Sequence, residues 1–478
     1  MRPTLLKIDQ PSEKINHLIV ADSIGAIPND RIPAEALDFI KNDTQENTIF
    51  SFNLYSYQLF VCIVKESHEA HIHKEAYRKQ GAQLLNKIKV LGVEELIIEE
   101  YSTANYALFL AEGIALANYS FDKYKTEKKK HTELKTLFIY NDRISSLAIE
   151  RMNISIEATY WSRDLLNEPQ STLNALSMAK EFERMGKEAG AKVEVLTKRK
   201  IESLKMGGLL TVNKGSIIPP TFTIMEWKPK DAINEKPYVF VGKGVVFDTG
   251  GVNIKTGDFM TNMQMDMGGG AAVATALYAI AKAKLPVYVI ALIPATDNRP
   301  GQEAYTPGDI IKMHNGKTVE VINTDAEGRL LLADALSYAQ TYSPTLVIDL
   351  ATLTGAAARA IGKYGIVAMK NAKAKIELLN QSSLNVYERL VEFPLWEEYD
   401  ELIKSNTADI KNLGGAEGGA ITAGKFLEHF VDYPWIHLDI AGPAIVSAND
   451  AYRTIGGTGV GTRLLFDFIT SIAEQRQE

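Results

Sequence analysis

The sequence is poor in cysteine, in long apolar runs and in excess positive charge. Among 478 residues there is one cysteine, Cys62. An internal disulfide framework is therefore excluded, and a reducing compartment fits. Cys62 lies in the apolar run Leu59-Phe-Val-Cys-Ile-Val64, which reads as a buried, inert thiol. No uninterrupted apolar run reaches the ~18 residues a membrane span needs. The opening Met1-Arg-Pro-Thr-Leu-Leu-Lys-Ile has no apolar core of signal-peptide length. The expectation is a cytoplasmic protein with no membrane partner. Lys and Arg number 52 against 59 Asp and Glu, a net charge of −7. That balance weighs against a general nucleic-acid binder. The main basic patch, Lys123-Tyr-Lys-Thr-Glu-Lys-Lys-Lys-His131, reads as a solvated face or loop.

What is present is ordinary in bulk and informative in pattern. An apolar fraction of 46% and a charged fraction of 23% suit a globular chain. The length allows two or three domains at ~150 residues each. Strand-like pieces at 48–52, 59–64, 95–98 and 136–140 alternate with helix-like pieces at 75–88 and 104–118, predicting a small α/β domain. A long helix over 142–167 ends before Pro169 and carries the expected boundary near 155. The α/β rhythm then resumes on a larger scale. Strands are expected at 192–196, 222–227, 238–241, 287–292 and 346–350, with helices at 173–189, 269–283 and 329–340. Several of these strands are apolar throughout, as in a sheet covered on both faces. His68, His71 and His73 lie close together, and a solvated loop or helix start is a better reading for them than a metal site.

The chain is organised around Asn323-Thr-Asp-Ala-Glu-Gly-Arg-Leu330. Asp325, Glu327 and Arg329 stand at alternate positions, so an extended segment would project all three to one face. A β-branched run precedes them and a helix-forming run follows. A strand-to-helix junction is where open α/β sheets place ligands. The bland alternative is that Asp325 and Glu327 cap the helix N-terminus.

A second stretch, Val241-Gly-Lys-Gly-Val-Val-Phe-Asp-Thr-Gly-Gly-Val-Asn-Ile-Lys255, continues to Met265-Asp-Met267. Its glycines satisfy neither the phosphate-loop pattern nor the dinucleotide pattern, which needs glycine where Phe247 stands. What remains is Lys243, Asp248, Lys255 and Asp266 in apolar, glycine-rich surroundings. With the first stretch they make four carboxylates and three cations. Buried charges are costly unless paired or metal-bound. A structural salt-bridge network could use the set. So could two divalent ions ~3.5–4 Å apart, the arrangement used for hydrolysis. Oxygen-rich ligands suit zinc, manganese or magnesium.

At these residues the chain closely resembles the leucyl (cytosol) aminopeptidase family of dinuclear-metal enzymes. The eight residues from Asn323 match the family signature at every position. The Val241–Met267 blocks match its metal-binding stretch. Further matches are Ser162-Arg-Asp-Leu-Leu-Asn-Glu-Pro169, Ala351-Thr-Leu-Thr-Gly355, Ala420-Ile-Thr-Ala423, His437-Leu-Asp-Ile-Ala-Gly442 and Gly457-Thr-Gly-Val-Gly461. The similarity covers about 155 to 470 and thins toward the N-terminus. Met265, Gly424-Lys425 and Gly415-Ala-Glu-Gly-Gly419 depart from the usual pattern, which touches pocket shape rather than chemistry.

The resemblance implies a small N-terminal macro-like α/β domain, residues 1–155. A larger catalytic α/β domain, 156–478, would have a mixed central sheet flanked by helices. It implies a metallo-aminopeptidase that removes N-terminal residues by a metal-bridged hydroxide. Lys243, Asp248, Asp266 and Glu327 would hold the tighter metal; Asp248, Asp325 and Glu327 the exchangeable one. Lys243 would then be neutral, its pKa lowered beside two cations. Lys255 and Arg329 would be the catalytic non-ligand cations. Bicarbonate, held by Arg329, Gly328 and Leu353, would serve as general base. Met263, Asp266, Thr352, Gly355 and Ala441 would bind substrate, with Leu and Met preferred as first residue. His437 reads as a satisfied core histidine, and His314 has no role. Peptides are the expected partners, with assembly as a homohexamer of two trimers; a second role on nucleic acid, known in some relatives, is disfavoured by the charge.

Overall fold

The computed structural model describes residues 2–12, 15–43, 48–64, 67–104, 106–127 and 133–475, and it divides into two compact units. The first holds residues 1–160 with 447–455, and the second 161–446 with 456–478. The helix Ser146–Asn167 runs through the point of division. Part of the basic run, residues 128–131, lies outside the described residues.

In the first unit six strands form one sheet: β1 (Thr4–Lys7), β2 (Asn16–Ala21), β3 (Ile49–Asn53), β4 (Gln58–Ile63), β5 (Glu95–Glu100) and β6 (Thr136–Tyr140). Their order is β1-β6-β5-β2-β4-β3, and only β3 runs antiparallel to its neighbour. The four expected strands are present. β1, β2 and the helix Ala34–Lys41 are additions; polar Asn16 and His17 interrupt the apolar pattern that would mark β2. Leu84, Leu85 and Ile88 of the helix Ala70–Val90 share a core with Leu110, Ala111 and Ile114 of the helix Ala107–Ala117. Cys62 lies near the end of β4, fully buried, and burial pushes its thiol up to about 12. It is inert, as its apolar neighbours predict. His71 and His73 do open a helix, but His73 is buried against Tyr77 and Tyr106 rather than solvated.

The second unit is built on nine strands: β7 (Lys192–Leu196), β8 (Thr221–Trp227), β9 (Tyr238–Gly242), β10 (Gly244–Asp248), β11 (Val289–Asn298), then, beyond the small strands β12 (Ile310–Lys312) and β13 (Thr318–Glu320), β14 (Leu346–Ala351), β15 (Ile366–Lys370) and β16 (Leu390–Glu392), and, past β17 (Ile410–Lys411), β18 (Trp435–Asp439). The order is β16-β15-β18-β14-β9-β11-β8-β7, with β10 paired to β11 off this path. The central strands β18, β14, β9, β11 and β10 are mutually parallel, while β8, β7 and β15 supply antiparallel pairings. The sheet is therefore mixed, as expected. β14 and β11 are buried at every residue, which explains their mainly apolar sequences; Asp349 in β14 and Thr296-Asp297-Asn298 at the end of β11 are the exceptions. The helix Gly268–Lys282 is buried almost all round, and its small residues let it lie close to the sheet. From the helix Gly328–Ala339, Leu330, Leu331, Leu332 and Leu336 enter the same core as Val241, Val347 and Trp435. Truncating any one of these leucines to Ala would cost ~2–5 kcal/mol. No helix among the described residues is long and apolar enough to cross a membrane.

Candidate active site

All five central parallel strands end at one place. β9 runs into Lys243, β10 ends at Asp248, β11 at Asn298, β14 runs into Thr352, and β18 ends at Asp439. Open α/β sheets bind ligands outside the carboxyl ends of their strands. The seven charged residues expected from sequence lie here.

Lys243 and Lys255 are the two organising cations. Lys243 Nζ lies 2.8 Å from each oxygen of Asp266, 2.9 Å from Glu327 Oε1 and 3.0 Å from the Thr352 carbonyl. Lys255 Nζ lies 2.7 Å from Asp248 Oδ2 and 2.6 Å from Asp325 Oδ1. Asp248, Asp325 and Glu327 can each place a carboxylate oxygen within 4.8 Å of the others, the one such metal-ligating group among the described residues. Asp248 Oδ1 is held by the Gly250 amide and by Asn298 Nδ2, each at 2.8 Å. The Thr352 hydroxyl donates to Asp266 Oδ1 at 2.8 Å.

Two glycines are required by this packing. A Cβ on Gly328 would stand 2.5 Å from Lys243 Cε and 2.7 Å from its Nζ. One on Gly250, whose φ is +86°, would meet the Asn253 carbonyl at 2.4 Å and Asp325 Oδ1 at 3.0 Å.

The segment leading into the signature differs from expectation. β13 ends at Glu320, and Thr324 and Asp325 form a turn, so the alternation of Asp325 and Glu327 is not that of a strand. The convergence comes instead from the turn and from the helix start. Glu327 occupies the position before the helix Gly328–Ala339, yet its side chain makes no capping hydrogen bond. The capping reading therefore fails for it. Thr324 locks the turn to the Asp248–Lys255 loop: its amide donates to Asn253 Oδ1, its hydroxyl to the Gly250 carbonyl, and its own carbonyl accepts from Asn298 and Tyr305.

The ion pairs do not neutralise the cluster. Four carboxylates face two lysines. Arg329 is buried, donates from Nη1 to the Asn412 carbonyl at 2.8 Å, and makes no ion pair among the described residues. Burial pulls its guanidinium down to about 10, against the pull of Glu327 and Asp439. Its Nε has no acceptor. Asp266 Oδ2 and Glu327 Oε1, although close to Lys243, accept no well-oriented hydrogen bond. Burial, then the neighbouring carboxylate Asp248, hold Glu327 well above the usual range; burial also raises Asp266 and Asp325. For Lys243 burial lowers the pKa, but Asp266, Glu327 and Asp248 outweigh it and the net shift is upward. The neutral Lys243 expected beside two metal ions is thus not its form among these carboxylates alone, where it is their counter-ion.

The residues expected to bind the substrate side chain are less tightly drawn together. Thr352 is joined to Asp266, while Leu353 and Ala441 both donate their amides to Asp439 Oδ1 at 3.1 Å. The Leu353 amide is therefore already committed, and an anion drawing on it competes with Asp439. Gly355 is exposed at the start of the helix Gly355–Ile361. Met263 opens the short turn that ends in Asp266 and Met267, half-buried. His437 Nδ1 pairs with Asp349 at 2.6 Å, but its buried Nε2 has no partner, so it is only half satisfied. His314 pairs through Nδ1 with Ser337 Oγ at 2.6 Å, away from the cluster's hydrogen bonds. Asn298, Thr324, Asn253, Asn412 and Asp439 are the site's supporting residues that sequence reasoning did not single out.

A strand-end cluster of acidic side chains that outnumber the lysines among them has the donor set of a hydrolase-type site for divalent cations. The comparisons say which. The catalytic-domain model of the cytosol aminopeptidase family matches residues 160–466, and the N-terminal-domain model of that family matches 65–128. The chain belongs to the cytosol aminopeptidase family, and is a metallopeptidase hydrolase of aminopeptidase type. It is 43% identical over 428 residues to a probable cytosol aminopeptidase of Chloroherpeton thalassium, covering 83% of each chain. With that of Aquifex aeolicus it shares 39% identity over 427 residues, 87% of this chain and 85% of the other. Among solved structures it resembles a tomato leucine aminopeptidase mutant, with a TM-score of 0.86 and 26% identity, covering 98% of this chain and 97% of that one. It also resembles the bottromycin maturation enzyme BotP in complex with Mn, with a TM-score of 0.85 and 27% identity over 96% and 99% of the two chains.

Proposed function

We propose that the strand-end cluster is the catalytic centre of a dinuclear leucyl aminopeptidase preferring Leu, Met and other apolar first residues. The observation that carries this reading is the charge imbalance: four carboxylates, three of them buried, converge on two lysines, and burial together with the neighbouring Asp248 holds Glu327 and Asp266 above their usual range. Lys243, Asp248, Asp266, Asp325 and Glu327 would hold two divalent ions, zinc or manganese. Such a pair, when bound, acidifies water and polarises a carbonyl.

The chain's own residues do the rest. Lys255, held between Asp248 and Asp325, is the cation positioned to stabilise the oxyanion that develops on the scissile carbonyl. Asp266 would accept the substrate's α-ammonium and so confine cleavage to the chain end. Arg329, buried without a carboxylate partner, would hold bicarbonate as general base beside Gly328; Leu353 could join only by sharing its amide with Asp439. Thr352, Gly355, Ala441 and Met263 would line the pocket for the first side chain. Peptides are the substrates, the assembly a homohexamer, and the location cytoplasmic.

The test is hydrolysis of a leucine anilide before chelation, after it, and after return of Zn²⁺ or Mn²⁺. Loss and recovery are expected. Undiminished turnover in the chelated sample overturns the reading. Asp325→Ala should fold normally and lose most activity along with bound metal.

A further inference from the structure

Asp439 ends β18, in register with Ala351 at the end of β14. It is 1% exposed and makes no ion pair among the described residues. A buried carboxylate is expensive; His437 and Arg329 attract it without forming an ion pair, and hydrogen-bond donors hold it directly. There are three. Oδ1 accepts the amides of Leu353 and Ala441, both at 3.1 Å, and Oδ2 accepts the Thr354 hydroxyl at 2.7 Å. These donors come from two different loops: the β14 exit, Thr352 to Gly355, and the β18 exit, Ile440 to Gly442.

The Thr354 hydroxyl is already an acceptor, since it caps the helix Gly355–Ile361 by taking the Ala357 amide at 3.0 Å. Its own proton goes to Asp439 Oδ2. A carboxylate meets all three donors at once. An asparagine could accept the two amides through its one oxygen, but would turn an NH₂ toward Thr354. A carboxyl group therefore fits the junction with the Thr354 hydroxyl as it stands, whereas asparagine would oblige that hydroxyl to turn its proton away. On its other flank the same loop is fixed by Thr352, whose hydroxyl reaches Asp266 and whose carbonyl takes Lys243 Nζ.

We infer that Asp439 is a positioning residue that sets the shape of the first-side-chain pocket, by clamping the Thr352–Gly355 loop against Ala441. This rests on the reading of Thr352, Gly355 and Ala441 as pocket walls. Asp439 touches no reacting atom; it acts through the two loops. Removing it should loosen one wall while the Lys243 and Asp266 side of the loop stays in place. Discrimination between first residues should then fall more than turnover of the best one.

The test compares native protein with Asp439→Asn, Asp439→Ala and Thr354→Val. The first readout is kcat/KM for leucine, methionine, alanine and glycine anilides. Asp439→Asn should lower the leucine-over-glycine ratio about tenfold, within the range one pocket contact supplies. The loss should fall in KM more than in kcat, with bound metal unchanged. Asp439→Ala should do more and Thr354→Val less, following the number of donors stranded. The second readout, independent of activity, is hydrogen exchange at the Leu353 and Ala441 amides, which should accelerate in both Asp439 variants. Accelerated exchange with an inactive native protein would sink the aminopeptidase reading and leave the clamp standing. Unchanged exchange at both amides, or an unchanged leucine-over-glycine ratio in an active Asp439→Asn, overturns the proposal. Should Asp439→Ala fail to fold, Thr354→Val still decides: an unaltered ratio there removes the hydroxyl arm of the clamp.

Discussion

Two buried glutamates, Glu99 in the first unit and Glu327 in the second, share residue type and depth and have opposite electrostatics. Glu99 is 1% exposed and accepts from His17 Nδ1 at 2.6 Å, from Arg31 through Nε at 3.0 Å and Nη2 at 2.5 Å, and from the Tyr101 hydroxyl at 3.0 Å. Burial raises its pKa, but His17 and Arg31 outweigh burial and the net shift is downward. Glu327 is 2% exposed and has Lys243 nearby, yet burial and then Asp248 drive it upward. One buried carboxylate is finished by its own protein. The other is left short of positive charge. That shortfall separates a structural ion network from a site that needs a ligand.

The sharpest way to break the comparison is to delete each charge. Glu99→Gln removes the anion shared by buried His17 and half-buried Arg31 and should destabilise the fold by ~1–3 kcal/mol in urea melts. Glu327→Gln, in chelator-treated protein, should be neutral or stabilising. The sign follows from its raised pKa: the ionised carboxylate costs stability as pH rises through that folded pKa, and glutamine carries no such charge. Equal destabilisation by both substitutions would erase the distinction between the two glutamates.

Activity sharpens the contrast next. Lys255→Met removes the cation between Asp248 and Asp325 and should lower kcat by roughly 10²–10³-fold. KM should move less, because the charge is needed most when the oxyanion forms. A kcat near the native value would end the role assigned to Lys255. A smaller effect is expected one layer out. Asn298→Ala frees Asp248 Oδ1 from its 2.8 Å side-chain donor. It should weaken metal binding about 10–100-fold, read by titration against a competing chelator. Unaltered affinity would mean that the Gly250 amide suffices to orient Asp248.

Much of this site was legible because charge is conspicuous in apolar sequence. Lys243, Asp248 and Asp266 interrupt segments that otherwise read as buried, and all seven charged residues do gather at the strand ends. The route by which they gather was not legible. Asp325 and Glu327 seemed alternate strand residues, whereas a turn and a helix start bring them together; the pattern of charges is the same in both conformations. The supporting shell was hidden for a different reason. Asn298 and Asp439 end buried strands, where polar residues resemble any loop boundary, and their meaning depends on which partners the fold brings to them. Asp439 even lay within a motif quoted for its resemblance, and nothing along the chain says that its donors come from residues 353, 354 and 441. In the fold, the long apolar strands and periodic helices were readable, while β1 and β2 were short or diluted by polar residues.

Asp334 supplies the intermediate case. It is fully buried on the helix Gly328–Ala339, with neither a cation nor a carboxylate pressed against it. It accepts backbone amides, Leu209 at 3.0 Å and His314 at 2.9 Å, with the Gly208 amide also turned to it. Burial pushes its carboxyl from 3.8 up to about 7, the amides pulling weakly the other way. Between those values the folded chain holds a proton that the unfolded chain has released. The stability tied to that proton is complete below about pH 4 and is lost as pH rises to about 7. Asp334→Asn should lower stability overall, because its NH₂ faces an amide donor. It should also flatten the pH slope in that window by at most about 1.4 kcal/mol per pH unit. Urea melts of native and Asp334→Asn protein across the window read this directly. Parallel stability curves would place the ionisation elsewhere, and would show that backbone amides alone can keep a buried carboxylate charged, which would narrow the difference between Glu99 and Glu327 to the number of donors rather than their charge.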